Sequence, residues 1–254
     1  MDNDMEFKEI PREKKVRKKK HYMARFLIIL CVIIALVAFL LSPVFNVKHI
    51  SVTGNDYYTD QEVINMGNAT KGGNIFIHSG ISSIKSRLEG NPYFSSVKVS
   101  IGLPSTLKIS VTERKQVAAL IYGDQYIVID VDGKVLRKTE IDPKITIIKG
   151  LTLSKIKVGE KVKAEEAQTL TRTLKMLSTM NKGDLYFKKI DVSGIFIKAY
   201  IYDTLIVKGI PAQMQKAIKS GDLQKVISKL FKSGYKRGTI SLGDHNYMSF
   251  SPAC

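Results

Sequence analysis

Residues Phe26 to Leu41, FLIILCVIIALVAFLL, form an uninterrupted apolar run. With Ser42, Pro43, Val44 and Phe45 behind it, the segment reaches about 20 residues, enough for a helix to cross about 30 Å of hydrocarbon. A cleavable signal peptide has a shorter apolar core and small residues at its cleavage site. Here Leu36 stands where a cleavage after Ala38 would need a small side chain, and the Ile-Ile-Leu before Cys31 makes no lipidation signal. The run is therefore read as an uncleaved membrane span, residues 26–45, behind a basic tail, residues 1–25.

Charge sets the orientation. Eight Lys/Arg lie between Arg12 and Arg25, and Lys48 is almost alone past the span. The positive-inside rule then places the N-terminus in the cytoplasm and Asn46 to Cys254 outside. Beside a span, the basic run reads as an orientation signal touching anionic lipid, with no nucleic-acid partner. Of the net charge of +17, the first 25 residues hold +4 and the remainder +13. That outer excess is either a solvated surface or a means of attracting anionic wall polymers or lipid headgroups. The two cysteines, Cys31 and Cys254, leave the outer part without an internal disulfide. Its folding must rest on its core, which suits a bacterial surface.

Periodicity divides the outer part in two. In NVKHISVTGN a short strand carries Ile50 and Val52 on one face and stops at Gly54-Asn55. Thr59 to Glu62, TDQE, has capping-box spacing and opens a helix with Val63 and Met66 inward. A glycine turn and a brief apolar stretch, Ile75 to Ile77, precede a second helix marked by Ile81, Ile84 and Leu88. Then come two alternating strands, Val97/Val99/Ile101 and Leu107/Ile109/Val111, joined as a hairpin by GLPST. The order β-α-α-β-β is an α+β unit with its helices on one face of a small sheet. Glu113 and Arg114 follow the last of these strands.

A second α+β domain with a mainly antiparallel sheet is expected beyond. QYIVIDVDGKVLRK reads as two strands about Asp132-Gly133, and AEEAQTLTRTLKMLSTM as a helix with Ala167, Leu170, Leu174 and Leu177 on one face. Three strands come next, parted at Ser193-Gly194 and Asp203-Thr204. DLQKVISKLFKSG is a basic amphipathic helix with Leu223, Val226, Ile227 and Leu230 inward, and GTISLGDHNYMSFSP supplies a last pair of strands.

The search for chemistry leaves little. S-x-x-K occurs at Ser82, Ser95, Ser105, Ser154 and Ser233, and Lys232-Ser233-Gly234 resembles its K-T-G partner, but so many hits in a Lys- and Ser-rich chain are what coincidence gives. His21, His49, His78 and His245 are scattered, with no metal-ligand spacing. Glu165-Glu166 are read as first-turn helix residues favouring the dipole, and KGGN lacks the G-K-[ST] ending of a phosphate loop. The expectation is no catalytic residue, no cofactor and no metal.

The pieces FNVKHISVTGN, GGNIF, NPYFSSVKVSIGLPSTLKISVTERKQVAAL and YIVIDVDGKVL resemble the FtsQ/DivIB family of bacterial cell-division proteins, from about the span to Leu136. The resemblance implies a POTRA domain, residues 46–115, a β domain, residues 116–251, and a C-terminal end, 252–254. It also implies a non-catalytic scaffold at the division septum, linking a DivIC/FtsB-type and FtsL-type pair to the septal wall synthesis machinery. The family's last strands commonly bind that pair, which points to Thr239, Ile240, Leu242, Tyr247, Met248 and Phe250 here, although Ser241 stands where family members often carry Asp. The rival readings are an anchored binder of anionic wall polymers and a cryptic wall enzyme.

Overall fold

The computed structural model describes residues 21–180, 185–243 and 247–253. Most of the basic run, His245 and Cys254 lie outside the described residues. The apolar segment is helix α1, Tyr22–Leu40, with no buried residue. Its 19 residues span roughly 28 Å at the α-helical rise. The helix begins four residues earlier and ends five earlier than the expected span. Pro43 opens a 3-10 turn, Pro43–Phe45, and Phe45 is drawn into the core of the next domain.

That domain has strand β1, His49–Thr53, helices α2, Asp60–Gly67, and α3, Ile81–Glu89, then strands β2, Phe94–Gly102, and β3, Thr106–Glu113. The sheet order is β1-β3-β2, with β1 parallel and β2 antiparallel to the central strand. The hairpin register sets Val97 opposite Val111, Val99 opposite Ile109 and Ile101 opposite Leu107. The alternation in β3 has its physical cause here: Leu107, Ile109 and Val111 are buried in one cluster with Val63, Ile84 and Leu88. The capping box of α2 is closed, with Glu62 N–H donating to Thr59 Oγ1 at 3.3 Å and Thr59 N–H to Glu62 Oε2 at 2.8 Å. Gly54 ends β1 at φ +82°, where a Cβ would strike the Val111 carbonyl oxygen. The apolar stretch after the glycine turn splits: Ile75 is buried, whereas Phe76 and Ile77 are exposed.

The chain continues through β4, Ala118–Tyr122, β5, Gln125–Ile129, β6, Val135–Thr139, β7, Thr146–Lys149, α4, Ala167–Met180, β8, Lys189–Asp191, β9, Ile197–Tyr200, and β10, Leu205–Gly209. It ends with α5, Pro211–Ser220, α6, Asp222–Lys232, β11, Gly238–Leu242, and β12, Met248–Pro252. These strands form one nine-stranded sheet, β12-β11-β10-β9-β8-β7-β4-β5-β6, mixed but mainly antiparallel. Parallel neighbours need crossovers. Helix α4 lies on the path from β7 to β8, and the α5–α6 pair carries the chain from β10 to its parallel neighbour β11. Leu170, Leu174 and Leu177 of α4 enter the core as expected, but Ala167 is exposed at the first turn, and Thr173, Met176 and Met180 are buried instead. Glu165 and Glu166 precede α4 rather than forming its first turn. There the Glu166 carboxylate accepts from Thr152 N–H at 2.8 Å and Thr152 Oγ at 3.0 Å.

Glu113 and Arg114 sit at the joint. Glu113 accepts the backbone N–H groups of Asp56, Tyr57 and Tyr58 and so ties the loop before α2 to the end of β3. Arg114 turns the other way, its Nη1 2.7 Å from the buried Asp130 carboxylate beyond β5. Tyr93, Val128 and Leu136 form a small apolar cluster beside that pair.

Candidate functional site

A sheet closes its backbone bonds everywhere except at its two edges, so the edges show where the molecule can still bond. At one edge, β6 is partly covered: Val135 N–H donates to Glu160 O at 2.9 Å, and Lys134 bridges to Lys161. At the other edge lies β12, with no strand on its outer side among the described residues.

The hydrogen-bond alternation of an antiparallel pair determines which groups face outward. Gly243 N–H donates to Tyr247 O at 2.9 Å, so residue 247 bonds inward. With Ser241 opposite Ser249 and Ile240 opposite Phe250, Ser249 and Ser251 also bond to β11. Met248 and Phe250 therefore turn their N–H and C=O groups to the open side, and Pro252 has no N–H to offer. The free edge amounts to two residues' worth of ladder.

The six residues singled out from the sequence separate into two groups. Thr239, Ile240 and Leu242 lie on β11, an interior strand between β10 and β12. Ile240 and Leu242 are buried in the domain core and Thr239 is half-buried, so β11 presents no edge and these two apolar side chains have almost no free surface. Tyr247, Met248 and Phe250 belong to the outer strand and the approach to it. Met248 and Phe250 share the face of Leu242 and Ile240 and pack on the margin of the core. Tyr247 is 69% exposed.

Other residues at this edge lie outside those six. The Phe250 ring meets Tyr235 at 5.5 Å between centroids and an angle of 64°, and Tyr202 meets Phe231 at 5.7 Å. Lys236 and Arg237 stand exposed at the start of β11. The signal for them was GYKRGT, an aromatic and two cations between the last helix and the last strands. Gly238 has φ +140°, and a Cβ there would come within 2.6 Å of the Phe250 ring. Phe250 thus lies directly over the start of β11, which holds β12 in place.

Among the described residues no three His, Cys, Asp or Glu side chains gather as a metal site. The most displaced carboxyl, Asp191, ends strand β8. Burial pushes it up, but hydrogen bonds from Ser193 and from Lys149 Nζ outweigh this and hold it at about 2. An edge flanked by rings and cations can add a strand and select it by side chains.

A family model, the POTRA domain of FtsQ type, matches residues 45–114. The chain is similar to cell division protein DivIB of Clostridium acetobutylicum, 28% identical over 215 residues that cover 81% of this chain and 83% of that protein. It is similar to DivIB of Bacillus subtilis at 24% identity, covering 92% of this chain and 86% of that one. It is also similar to cell division protein FtsQ of Rickettsia bellii at 26%, covering 80% and 70%.

Proposed function

We propose, for a chain that is related to the FtsQ/DivIB cell-division proteins and acts in cell division, that it works without catalysis, as a membrane-anchored scaffold. In this reading the N-terminus is cytoplasmic and the outer part consists of a POTRA domain, residues 46–115, and a β domain, residues 116–251. The free edge of β12 receives a strand from a DivIC/FtsB-type protein that is paired with an FtsL-type partner. That link would bring the pair to the septal wall synthesis machinery. The observation that carries the reading is the open edge at Met248 and Phe250. It is flanked by the exposed Tyr247 ring and the cations Lys236 and Arg237, so the expected partner strand carries acidic and apolar residues.

The test is co-purification of the full chain with the coiled-coil pair from membranes. Retention by the parent and loss in Met248→Pro is the expected result. Undiminished retention in a folded Met248→Pro protein would sink the edge as the site. A fluorescent fusion tests the septal placement: bands at midcell are expected, and a uniform membrane signal would contradict it.

A second reading, binding of anionic wall polymers, is favoured by the helical layer of the β domain. Arg172, Lys175, Lys216, Lys219, Lys229 and Lys232 are all exposed there, and none forms a salt bridge among the described residues. Binding of the outer region to purified wall polymer that fades steeply with salt would support it.

A further inference from the structure

The connection between α1 and the POTRA domain has no slack. Asn74, itself buried, donates its Nδ2 to the Leu40 carbonyl at 2.8 Å, capping the last turn of the apolar helix. Ile75 N–H donates to Phe45 O at 2.8 Å, Val47 N–H to Gly73 O at 2.9 Å, and Gly72 N–H returns to Val47 O at 2.9 Å. The Phe45 ring stands between two others, 5.2 Å from Phe39 in α1 and 5.4 Å from Phe76 in the domain. The loop from Gly73 to His78 is thus fastened to the end of a helix long enough to cross a membrane.

This same loop carries the exposed apolar residues left over by the POTRA core. Phe76 is 44% and Ile77 60% exposed, and Val44, in the turn beside them, is 53%. Single exposed apolar residues are ordinary on protein surfaces. These form a group at one place, continuous with Leu41 and Phe39 of the apolar helix. Lys48 and Lys71 are exposed around them. One ring separates Phe76 from Phe39, and the interfacial zone extends several ångströms beyond the hydrocarbon on each side. Aromatic side chains with cations close by are the usual composition of that zone.

We propose that Phe76 and Ile77, with Val44, insert into the bilayer interface around the end of α1 and fix the orientation of the POTRA domain on the membrane. The proposal rests on α1 crossing the bilayer. The occupant is lipid: the patch borders the span itself, and the nearby cations suit phosphate headgroups.

The chain contains no tryptophan, so one introduced indole reports a single place. Full-length Phe76→Trp and Ile77→Trp proteins would be reconstituted in phosphatidylcholine–phosphatidylglycerol vesicles, some with lipids brominated near the headgroup end of the acyl chain and some near its methyl end, the latter reaching Ile33 at mid-span. Ile33→Trp, within α1, reports the span, and Ile195→Trp, on an exposed turn of the β domain, reports bulk water. The Phe76→Trp and Ile77→Trp proteins are expected to lose about half their emission to the bromines and to resist iodide, as indoles in the interfacial belt do. If both behave like Ile195→Trp while Ile33→Trp is quenched by bromine, the domain stands clear of the bilayer; the proposal fails and the span survives. If Ile33→Trp is not quenched either, both fail. Shielding from bromine and iodide alike that lifts on dilution with lipid would place a second copy on the patch, and also overturns the proposal. Should Phe76→Trp disturb the Phe45 packing, the more exposed Ile77→Trp decides alone.

Discussion

Ile109 shows how much one residue of a strand can hold. It sits in the central strand of the three-stranded sheet, fully buried in the cluster that includes Ile84 and Leu88 of α3. Ile109→Ala is expected to cost about 2–5 kcal/mol, the loss of transferred surface plus the cavity left behind. Urea unfolding of the region after α1 measures it, and a loss below about 1 kcal/mol would mean the site collapses around the smaller side chain. Asp191 works by charge rather than volume. Its folded pKa is about 2 against an ordinary 3.8, so the folded state favours the ionised form. That contribution is complete above the unfolded value and is lost as pH falls from about 4 towards about 2. The urea midpoint should therefore drop on acidification through that window in the parent, and drop less in Asp191→Asn. Equal drops would assign the acid sensitivity to other carboxylates.

At the scale of elements, periodicity was a good guide wherever one face met water. Helices α3 and α6 and the β2–β3 hairpin carry their apolar residues at the spacing their burial requires. Strand β4 escaped because Ala118, Ala119 and Leu120 are all fully buried near the middle of the large sheet, so no alternation marks it. Strand β7 is only four residues long. Helix α5 has small or few apolar anchors, Met214, Ala217 and Ile218, and runs into α6 across the single residue Gly221. Missing α5 had a consequence for the site. The α5–α6 crossover makes β11 parallel to β10 and interior, which leaves β12 alone at the edge. Ile240 and Leu242 look like any apolar strand residues in sequence, and strand order is not written in local periodicity. The edge yields a paired prediction. Ser249→Pro removes an inward donor and leaves its partner carbonyl unpaired, costing about 1–3 kcal/mol of stability. Met248→Pro removes only an outward one, which edge strands tolerate. Thermal melts should separate the two, with Ser249→Pro lowered and Met248→Pro near the parent; the reverse order would mean that the inward and outward residues are exchanged.

For the whole molecule, the question is whether the two domains after α1 behave as one body. Glu113 holds the loop carrying Tyr57 and Tyr58, Tyr57 stacks on Tyr93 at 5.1 Å and 8°, and Tyr93 packs on Val128 and Leu136 of the β domain. Tyr93 is 4% exposed in this joint, and that burial pushes its hydroxyl up to about 12, partly opposed by Arg137. The ion pair completes the link. The Asp130 side chain is 3% exposed, accepts the N–H groups of Asp132 and Lys134 at 2.9 and 2.8 Å, and takes Arg114 Nη1 at 2.7 Å. Arg114→Ala leaves that carboxylate buried without its cation, a change that costs about 3 kcal/mol in comparable pairs. The energy is lost between the domains rather than within either, so calorimetry should resolve one transition of the parent two-domain region into two. Asp132→Asn is the control: that carboxylate is 61% exposed and 3.6 Å from Arg114, and losing it should cost no more than about 0.5 kcal/mol. A single, unshifted transition in Arg114→Ala would mean that the aromatic contacts alone couple the domains. Two transitions would instead make Arg114 the residue that holds the second domain at a set angle to the POTRA domain.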